Sequence, residues 1–415
     1  MNGMRQEYFA GSYKIDITPE PGIFPVEYRK DCLYSGSAYH RLYLRAVIVK
    51  DDRMALVMLF YELPDVPFAE EMRALAAEVL GFAEDDILIS ASTNRSIPFF
   101  DCHIQEKGDP ERFAAQQTAY REFLSRQTET ALKRAREGLR PAVLGYAKGK
   151  CCLNLNCGGG HGERASGSGF HPEGPSDRDL ALLRVDGLDG GVIALIYNYA
   201  MSANCMQHHR GADGALELGG DIPGRCSELL EQRLGGGAVA AYCCGAAQDQ
   251  EPLYKSCLDW RGADGRMIRR DAGAFSYDVL EFMAEHLCRD VLTVNERLKT
   301  EEETPRIWNR RLTYLCGADA VIKARGGRLV ETNLAVHMLG DVAIVAYNGD
   351  LPCAAGMRLK KESIYDKLLF VTHTGNWEGT AAVRGYGGEI GELIRSKVPE
   401  MMSAHYERFH GELQI

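Results

Sequence analysis

Apolar runs with the period of a strand alternate with runs of helical period along almost the whole 415-residue sequence. This alternation constrains the fold more than any other feature. Strands bury a face in a sheet and helices bury a stripe, so the two must be stacked in layers. Leu42–Val49 (LYLRAVIV) and Met54–Phe60 (MALVMLF), separated by Lys50–Arg53, predict a hairpin. Phe68–Leu80 predicts a helix and Ile87–Ala91 a short buried strand. Glu111–Leu139 predicts a long amphipathic helix with Phe113, Tyr120, Phe123, Leu124 and Leu132 in phase. Strands are expected near Ala142–Tyr146, Leu180–Val185, Val192–Tyr199 and Ala238–Cys243, and helices over Pro223–Leu234 and Phe275–Leu298. The final third reads strand Leu329–His337, strand Asp341–Ala346, helix Cys353–Lys361, strand Leu368–Thr372 and helix Ile390–His410. No composition shift marks a linker, and no repeat is visible. The expectation is one α/β domain over residues 1–415, with mixed β-sheets flanked by helices. Cys157–Asp179 is dense in Gly, Ser and Pro and reads as a lid or a disordered loop.

Lys and Arg number 48 against 58 Asp and Glu, for a net charge of −10. An acidic chain without a basic block argues against nucleic acid or an anionic membrane as partner, and leaves a small-molecule ligand. The opening MNGMRQEYFAGSYKIDITPEPG lacks the apolar segment of a signal peptide. The longest uncharged stretch, near 190–209, is broken by Asn198, Ser202, Asn204 and Gln207, too polar for a membrane span. A cytoplasmic location is therefore expected. The thirteen cysteines include no CxxC pair and read as reduced, mostly buried thiols. Composition leaves the oligomeric state open. P-loop, HExxH, GxSxG and EF-hand patterns are absent, as is a GxGxxG between strand and helix.

Several short segments, taken in order, resemble the neutral/alkaline non-lysosomal ceramidase family. Ala10–Gly22 (AGSYKIDITPEPG) is similar to that family's opening motif, and Leu42–Ala46 (LYLRA) to its LYARA strand. Ser90–Pro98 (SASTNRSIP) sits where the family has SATHTHSGP, and Asn198–Ser202 (NYAMS) where it has NFAxH. Gly220–Gly224 (GDIPG), Gly245–Pro252 (GAAQDQEP) and Asn348–Asp350 (NGD) fall in place of SGDYPG, GAAGDxxP and PGE. The resemblance spans roughly residues 8–390 and implies a ceramidase-like catalytic-domain fold of short form. It also implies a zinc-dependent amide hydrolase whose metal is held by histidines of SATHTHSGP and NFAxH, the glutamate of PGE and a tyrosine nearer the C-terminus. Thr93 and Arg95 stand at the histidines of SATHTHSGP, Ser202 at that of NFAxH and Asp350 at the glutamate of PGE. Trp377 and Tyr386 are both in range of the tyrosine, and Gly245 stands where the serine nucleophile is expected.

The family's ligand set thus reads as degenerate. A catalytic zinc needs about three protein ligands of His, Cys or Asp/Glu type. A guanidinium keeps its charge in proteins, so Arg95 favours an anion over a cation. Arg95 is expected to clamp a carboxylate or phosphate, with Thr93, Asn94, Ser202, Asn204 and His103 supplying further contacts to substrate. Asp221, Asp249 and Asp350 are the candidate catalytic carboxylates. Set against that role, Asp221 suits a helix cap and Asp249 a turn. Zinc would enter only through non-family ligands, with Cys205, His208 and Asp350 as the alternative set. His161 and His171 lie in the Gly-rich loop, His337 reads as a satisfied core histidine, and His373 suits a site only by its place at a strand end. Cys244 reads as buried packing rather than as a nucleophile.

Two functions follow. One is a hydrolase of a small polar or anionic compound, acting on an amide or related bond. The other is a non-catalytic binding or regulatory protein that kept the pocket. True zinc-dependent ceramidase activity fits least well.

Overall fold

In the computed structural model, the described residues are 8–20, 23, 27–29, 32–66, 68–97, 110–157, 171–261, 263–264, 266–301, 306–317, 329–375 and 388–410. In chain order the strands are Tyr8–Asp16 (β1), Glu27–Arg29 (β2), Cys32–Ala38 (β3), Tyr43–Lys50 (β4), Ala55–Tyr61 (β5), Ile87–Ala91 (β6), Arg140–Lys150 (β7), Asn154–Asn156 (β8), Asp179–Gly187 (β9) and Val192–Tyr199 (β10). They continue with Leu216–Leu218 (β11), Val239–Cys244 (β12), Gln250–Pro252 (β13), Cys257–Arg261 (β14), Met267–Asp271 (β15), Thr300–Glu301 (β16), Ile307–Gly317 (β17), Leu329–Leu339 (β18), Val342–Tyr347 (β19) and Leu368–Val371 (β20). The helices are Ala69–Leu80 (α1), Pro110–Glu137 (α2), Asp221–Leu234 (α3), Ser276–Asn295 (α4), Cys353–Glu362 (α5) and Gly388–His410 (α6).

Two mixed sheets carry the architecture. The larger has nine strands in the order β12-β10-β9-β7-β1-β4-β5-β6, with β16 against β7; the smaller has four, β17-β18-β19-β20. Most neighbours are antiparallel, but β5–β6, β10–β12 and β19–β20 are parallel. Val47, Val49, Leu56, Met58, Ala181 and Leu183 of the larger sheet pack on Ile307, Ala335, Val342, Ile344 and Leu369 of the smaller one. Alternate residues of the same strands (Ala46, Ile48, Val57, Leu59) face α1 and α2. The β9, β10 and β12 residues on that outer face pack on α3 and α4. The outer face of the small sheet packs on α5 and α6. The result is four layers, helix–sheet–sheet–helix, so the central strands are covered on both faces. This explains the continuous apolar runs such as ALVMLFY in β5, whose seven residues are all buried.

Local chemistry fixes the joints. Asp51 closes the β4–β5 hairpin by accepting the N–H groups of Arg53 and Met54 at 2.7 and 2.8 Å. Gly81 ends α1 at φ 73° and returns its N–H to Ala77 O at 2.8 Å. Buried Arg45 reaches from β4 to Glu62, and to Glu231 of α3 at 2.7 Å, tying the helix to the sheet.

The sequence reading assigned no strand to β1 or β17. In β1 the burial alternates only over its first residues, and Ser12, Tyr13 and Lys14 look outward or half outward. In β17, Asn309, Arg310 and Arg311 interrupt the apolar run. Pairing across β18 from Ile307↔Leu339 to Gly317↔Leu329 makes it a strand nonetheless.

Candidate functional site

Five loops meet at the C-terminal ends of the parallel strand pairs, the edge where open α/β sheets bind ligands. They follow β6 (92–97), β10 (200–206), β12 (245–250), β19 (348–351) and β20 (372–375). Backbone bonds stitch them together. Arg95 N–H donates to Ala203 O at 2.8 Å, Ser202 N–H to Gln250 O at 3.0 Å and Gln248 N–H to Leu351 O at 3.1 Å. Thr372 N–H donates to Cys244 O at 2.9 Å, and Ala91 N–H to His373 O at 3.0 Å.

The backbone is strained at this junction. The described non-glycine residues with positive φ are Phe68, Thr93, His208, Asp221 and His373. All but Phe68 lie on or beside these loops. A β-branched Thr93 at φ 59° is costly, about 1–3 kcal/mol, and needs its surroundings to hold it. The N–H of Ala203 does so, donating to Thr93 Oγ1 at 3.1 Å, while that hydroxyl faces Cys244 Sγ at 3.9 Å.

At the centre stand Asp350, His373 and Arg95. Asp350 and His373 are buried, with Asp350 Oδ2 at 3.7 Å from His373 Nε2. Asp350 Oδ1 has no hydrogen-bond partner among the described residues. Burial pushes the Asp350 carboxyl up to about 7, against the opposing pull of the Arg95 guanidinium. Burial, aided by Arg95, pushes His373 down to about 3, so its ring is neutral at neutral pH. The tautomer follows from the network. Thr372 Oγ donates its one proton to Gly245 O at 2.7 Å, so His373 Nδ1 at 3.0 Å must donate to Thr372 Oγ1. Nε2 is then a lone pair turned toward Asp350. Arg95 is half-buried, and no described carboxylate pairs with it.

The other candidates spend their polar atoms on the loops. Asp221 is fully buried and accepts from Ser96 Oγ (2.6 Å) and from the N–H groups of Cys205 (3.1 Å), Met206 (2.9 Å) and Ile222 (2.7 Å). It joins three segments at the start of α3. Asp249 accepts from Asn156 Nδ2, Gln250 Nε2 and the N–H of Cys353 at 3.0, 3.1 and 2.8 Å, the last at the start of α5. Asn94 donates to Gly219 O (2.7 Å) and Glu62 O (3.3 Å) and accepts from Ser96 N–H at 2.9 Å. Ser202 Oγ donates to Ala247 O at 3.0 Å, and Asn204 Nδ2 to Glu251 Oε1 at 3.2 Å. Gly245 lies against Ala200, whose atoms a Cβ would meet at 3.2 Å. His103, His161, Trp377 and Tyr386 lie outside the described residues. His171 donates its N–H to Asn156 O at 2.9 Å, beside Asp249's partner. His337 is a core histidine bonded through Nδ1 to Asn309 Oδ1 at 2.9 Å. Burial holds the Cys244 thiol up at about 12. His373 was singled out from sequence only by its strand-end position, and Thr372 was missed.

Two ceramidase structures share this architecture. The neutral ceramidase from Pseudomonas aeruginosa superposes with a TM-score of 0.64 at 12% identity, over 89% of this chain and 67% of that one. A ceramidase complexed with C2 gives 0.63 and 12%, over 89% and 68%. The fold is that of the ceramidases. At this identity the likeness speaks for the fold alone. No family model matches the chain, and no curated protein does.

On this ceramidase-like scaffold the described side chains do not fit the zinc that the sequence resemblance implies. Thr93 and Ser202 offer neutral hydroxyls and Arg95 a fixed cation, while Asp350, the one carboxylate among these positions, faces His373. Among the described residues no group of three or more His, Cys, Asp or Glu is placed to hold a metal ion. The alternative set Cys205, His208 and Asp350 is not brought together. Asp350 faces His373 and Arg95, whereas the buried Cys205 thiol lies by Ser256 and Asp221. No described helix is long and apolar enough to cross a membrane.

Proposed function

We propose that the chain is a hydrolase on the ceramidase scaffold that works without the family's zinc set and acts on a small anionic compound carrying an amide or related bond. Arg95 holds the anionic group, by paired hydrogen bonds where the ligand presents a carboxylate. Asp350 and neutral His373 form the acid–base pair. Asp350 takes a proton from the attacking water and returns it to the leaving group, and the Nε2 lone pair of His373 shares that proton in between. Asp221 and Asp249, first read as alternative bases, serve in this reading to hold the loops. The observation that carries the proposal is the meeting at one strand edge of a buried carboxylate with one oxygen unbonded, a neutral imidazole and a guanidinium without an ion pair among the described residues.

The test is a melting screen with small carboxylates, followed by turnover of their N-acyl derivatives. Binding raises the melting temperature by mass action. Arg95→Ala should remove that shift for at least one carboxylate and leave the unliganded melting temperature nearly unchanged. If every shift survives Arg95→Ala, the anion clamp is wrong. If binding occurs but Asp350→Asn and wild type are equally inert, the site binds without catalysis. Stoichiometric zinc in protein purified without added metal would restore the ceramidase route.

A further inference from the structure

We infer that a second small-anion site lies at the opposite end of the sheets, and that it takes a monoanion with a small apolar body, such as an aryl or short-chain carboxylate. A cleft of about 220 Å³ opens where Leu144–Tyr146 in the middle of β7 and Lys299 just before β16 approach the β18–β19 hairpin. It sits at the N-terminal ends of β19 and β20, whose C-terminal ends lead to Asp350 and His373. The two sites therefore share strands but not residues.

Its floor is apolar, formed by Leu144, Leu339 and Val342, and its walls include Tyr8 and Tyr146. Both phenols are anchored. Tyr146 donates to Leu368 O at 3.3 Å, and Tyr8 accepts the N–H of Arg306 at 3.1 Å. The rim carries Arg297, Lys299 and Lys367 against one carboxylate, Asp341. Lys367 is taken up by Asp341 at 2.8 Å. The side chains of Arg297 and Lys299 have neither an ion pair nor a hydrogen bond among the described residues. Two unpaired cations over an apolar floor are conspicuous in a chain of net charge −10. A fixed positive pair at a low-dielectric wall draws an anionic head, and the floor gains by covering its apolar body. The volume is below the range of drug-sized pockets, about 300–1,000 Å³, which limits the ligand to a small one.

The probes are benzoate and inorganic phosphate, read by melting temperature and by equilibrium titration on the full chain. At about ten times its dissociation constant, benzoate should raise the melting temperature by about 1–3 °C. In Arg95→Ala protein this shift should persist, because that variant removes only the other site. In the double variant Arg297→Ala/Lys299→Ala, built in the Arg95→Ala background, it should vanish. Both side chains are exposed, so the fold should stand, and the charge-keeping pair Arg297→Lys/Lys299→Arg should restore binding. A benzoate shift that survives the double alanine variant overturns the site, as does the absence of any shift in Arg95→Ala protein. A cleft that answers to phosphate and not to benzoate overturns the ligand class.

Discussion

Asp221 and Asp350 lie on the same strand edge, yet their surroundings treat a buried carboxylate in opposite ways. Asp221 meets four donors, three of them backbone N–H groups, and knits the 92–97 and 202–206 loops to the start of α3. Asp350 keeps one oxygen without a described partner and is held near neutrality by its burial. The first arrangement uses a carboxylate as mortar. The second leaves one poised to gain or lose a proton near physiological pH, which is the property acid–base chemistry asks for. A carboxylate's role is therefore read from how completely its lone pairs are claimed, more than from its burial.

The sharpest way to break this contrast is to remove each group. Asp221→Ala leaves the Ser96 hydroxyl and the buried N–H groups of Cys205 and Met206 without their acceptor. The expected loss is about 3–5 kcal/mol in denaturant unfolding, since each orphaned buried donor costs roughly 1–3 kcal/mol. A loss under 1 kcal/mol would show that water or neighbours replace the carboxylate easily.

Asp350→Asn should go the other way at alkaline pH. The folded pKa of about 7 exceeds the unfolded value of 3.8. Between those values the folded state binds more protons, so wild-type stability falls as pH rises through that window. Above pH 7 the native state carries the full cost of a buried charge, and below 3.8 it carries none. The amide removes that cost, so the variant should gain about 1–3 kcal/mol at pH 8 and nothing at pH 3.5. Anion affinity at Arg95 should follow the same titration. It should weaken by about tenfold, ~1.4 kcal/mol, as Asp350 ionises, and the asparagine variant should flatten that profile. A pH-independent difference in stability between the two proteins would place the proton elsewhere.

The layers were legible in the sequence because double-sided burial writes itself as unbroken apolar runs. The β4–β5 hairpin, β6, β10, β12, β19 and β20 all carry that mark, and the alternation with helices gave the α/β class. Strands that expose one face or carry arginines, such as β1 and β17, gave no such run, since their strand character comes from partners far along the chain. The site was legible in part. The strand-end positions of Thr93, Arg95, Ser202 and Asp350 were visible as departures from a motif series. The pairing of Asp350 with His373 was not. It depends on two loops separated by a helix and a strand, and nothing local marks a histidine as the partner of a carboxylate 23 positions earlier. Nor does sequence show that Asp221 and Asp249 have their lone pairs claimed, because most of the donors come from backbone N–H groups and side chains far along the chain.

The smallest expected effect tests the finest detail, the proton position on His373. Thr372→Val is nearly isosteric and removes only the hydroxyl that accepts from His373 Nδ1 and donates to Gly245 O. It should cost about 1 kcal/mol, the net worth of a typical intramolecular hydrogen bond. Nitrogen-15 spectra of the imidazole should show Nδ1–H in wild type and a shift toward Nε2–H in the variant, since Nε2 then has a better acceptor in Asp350 than Nδ1 retains. The turned-over tautomer would place a donor where the lone pair had been, so Asp350 would be stabilised as the anion and its titration should move downward. Wild type found already in the Nε2–H form would reverse the assignment and make Asp350 the acceptor rather than the holder of the shared proton.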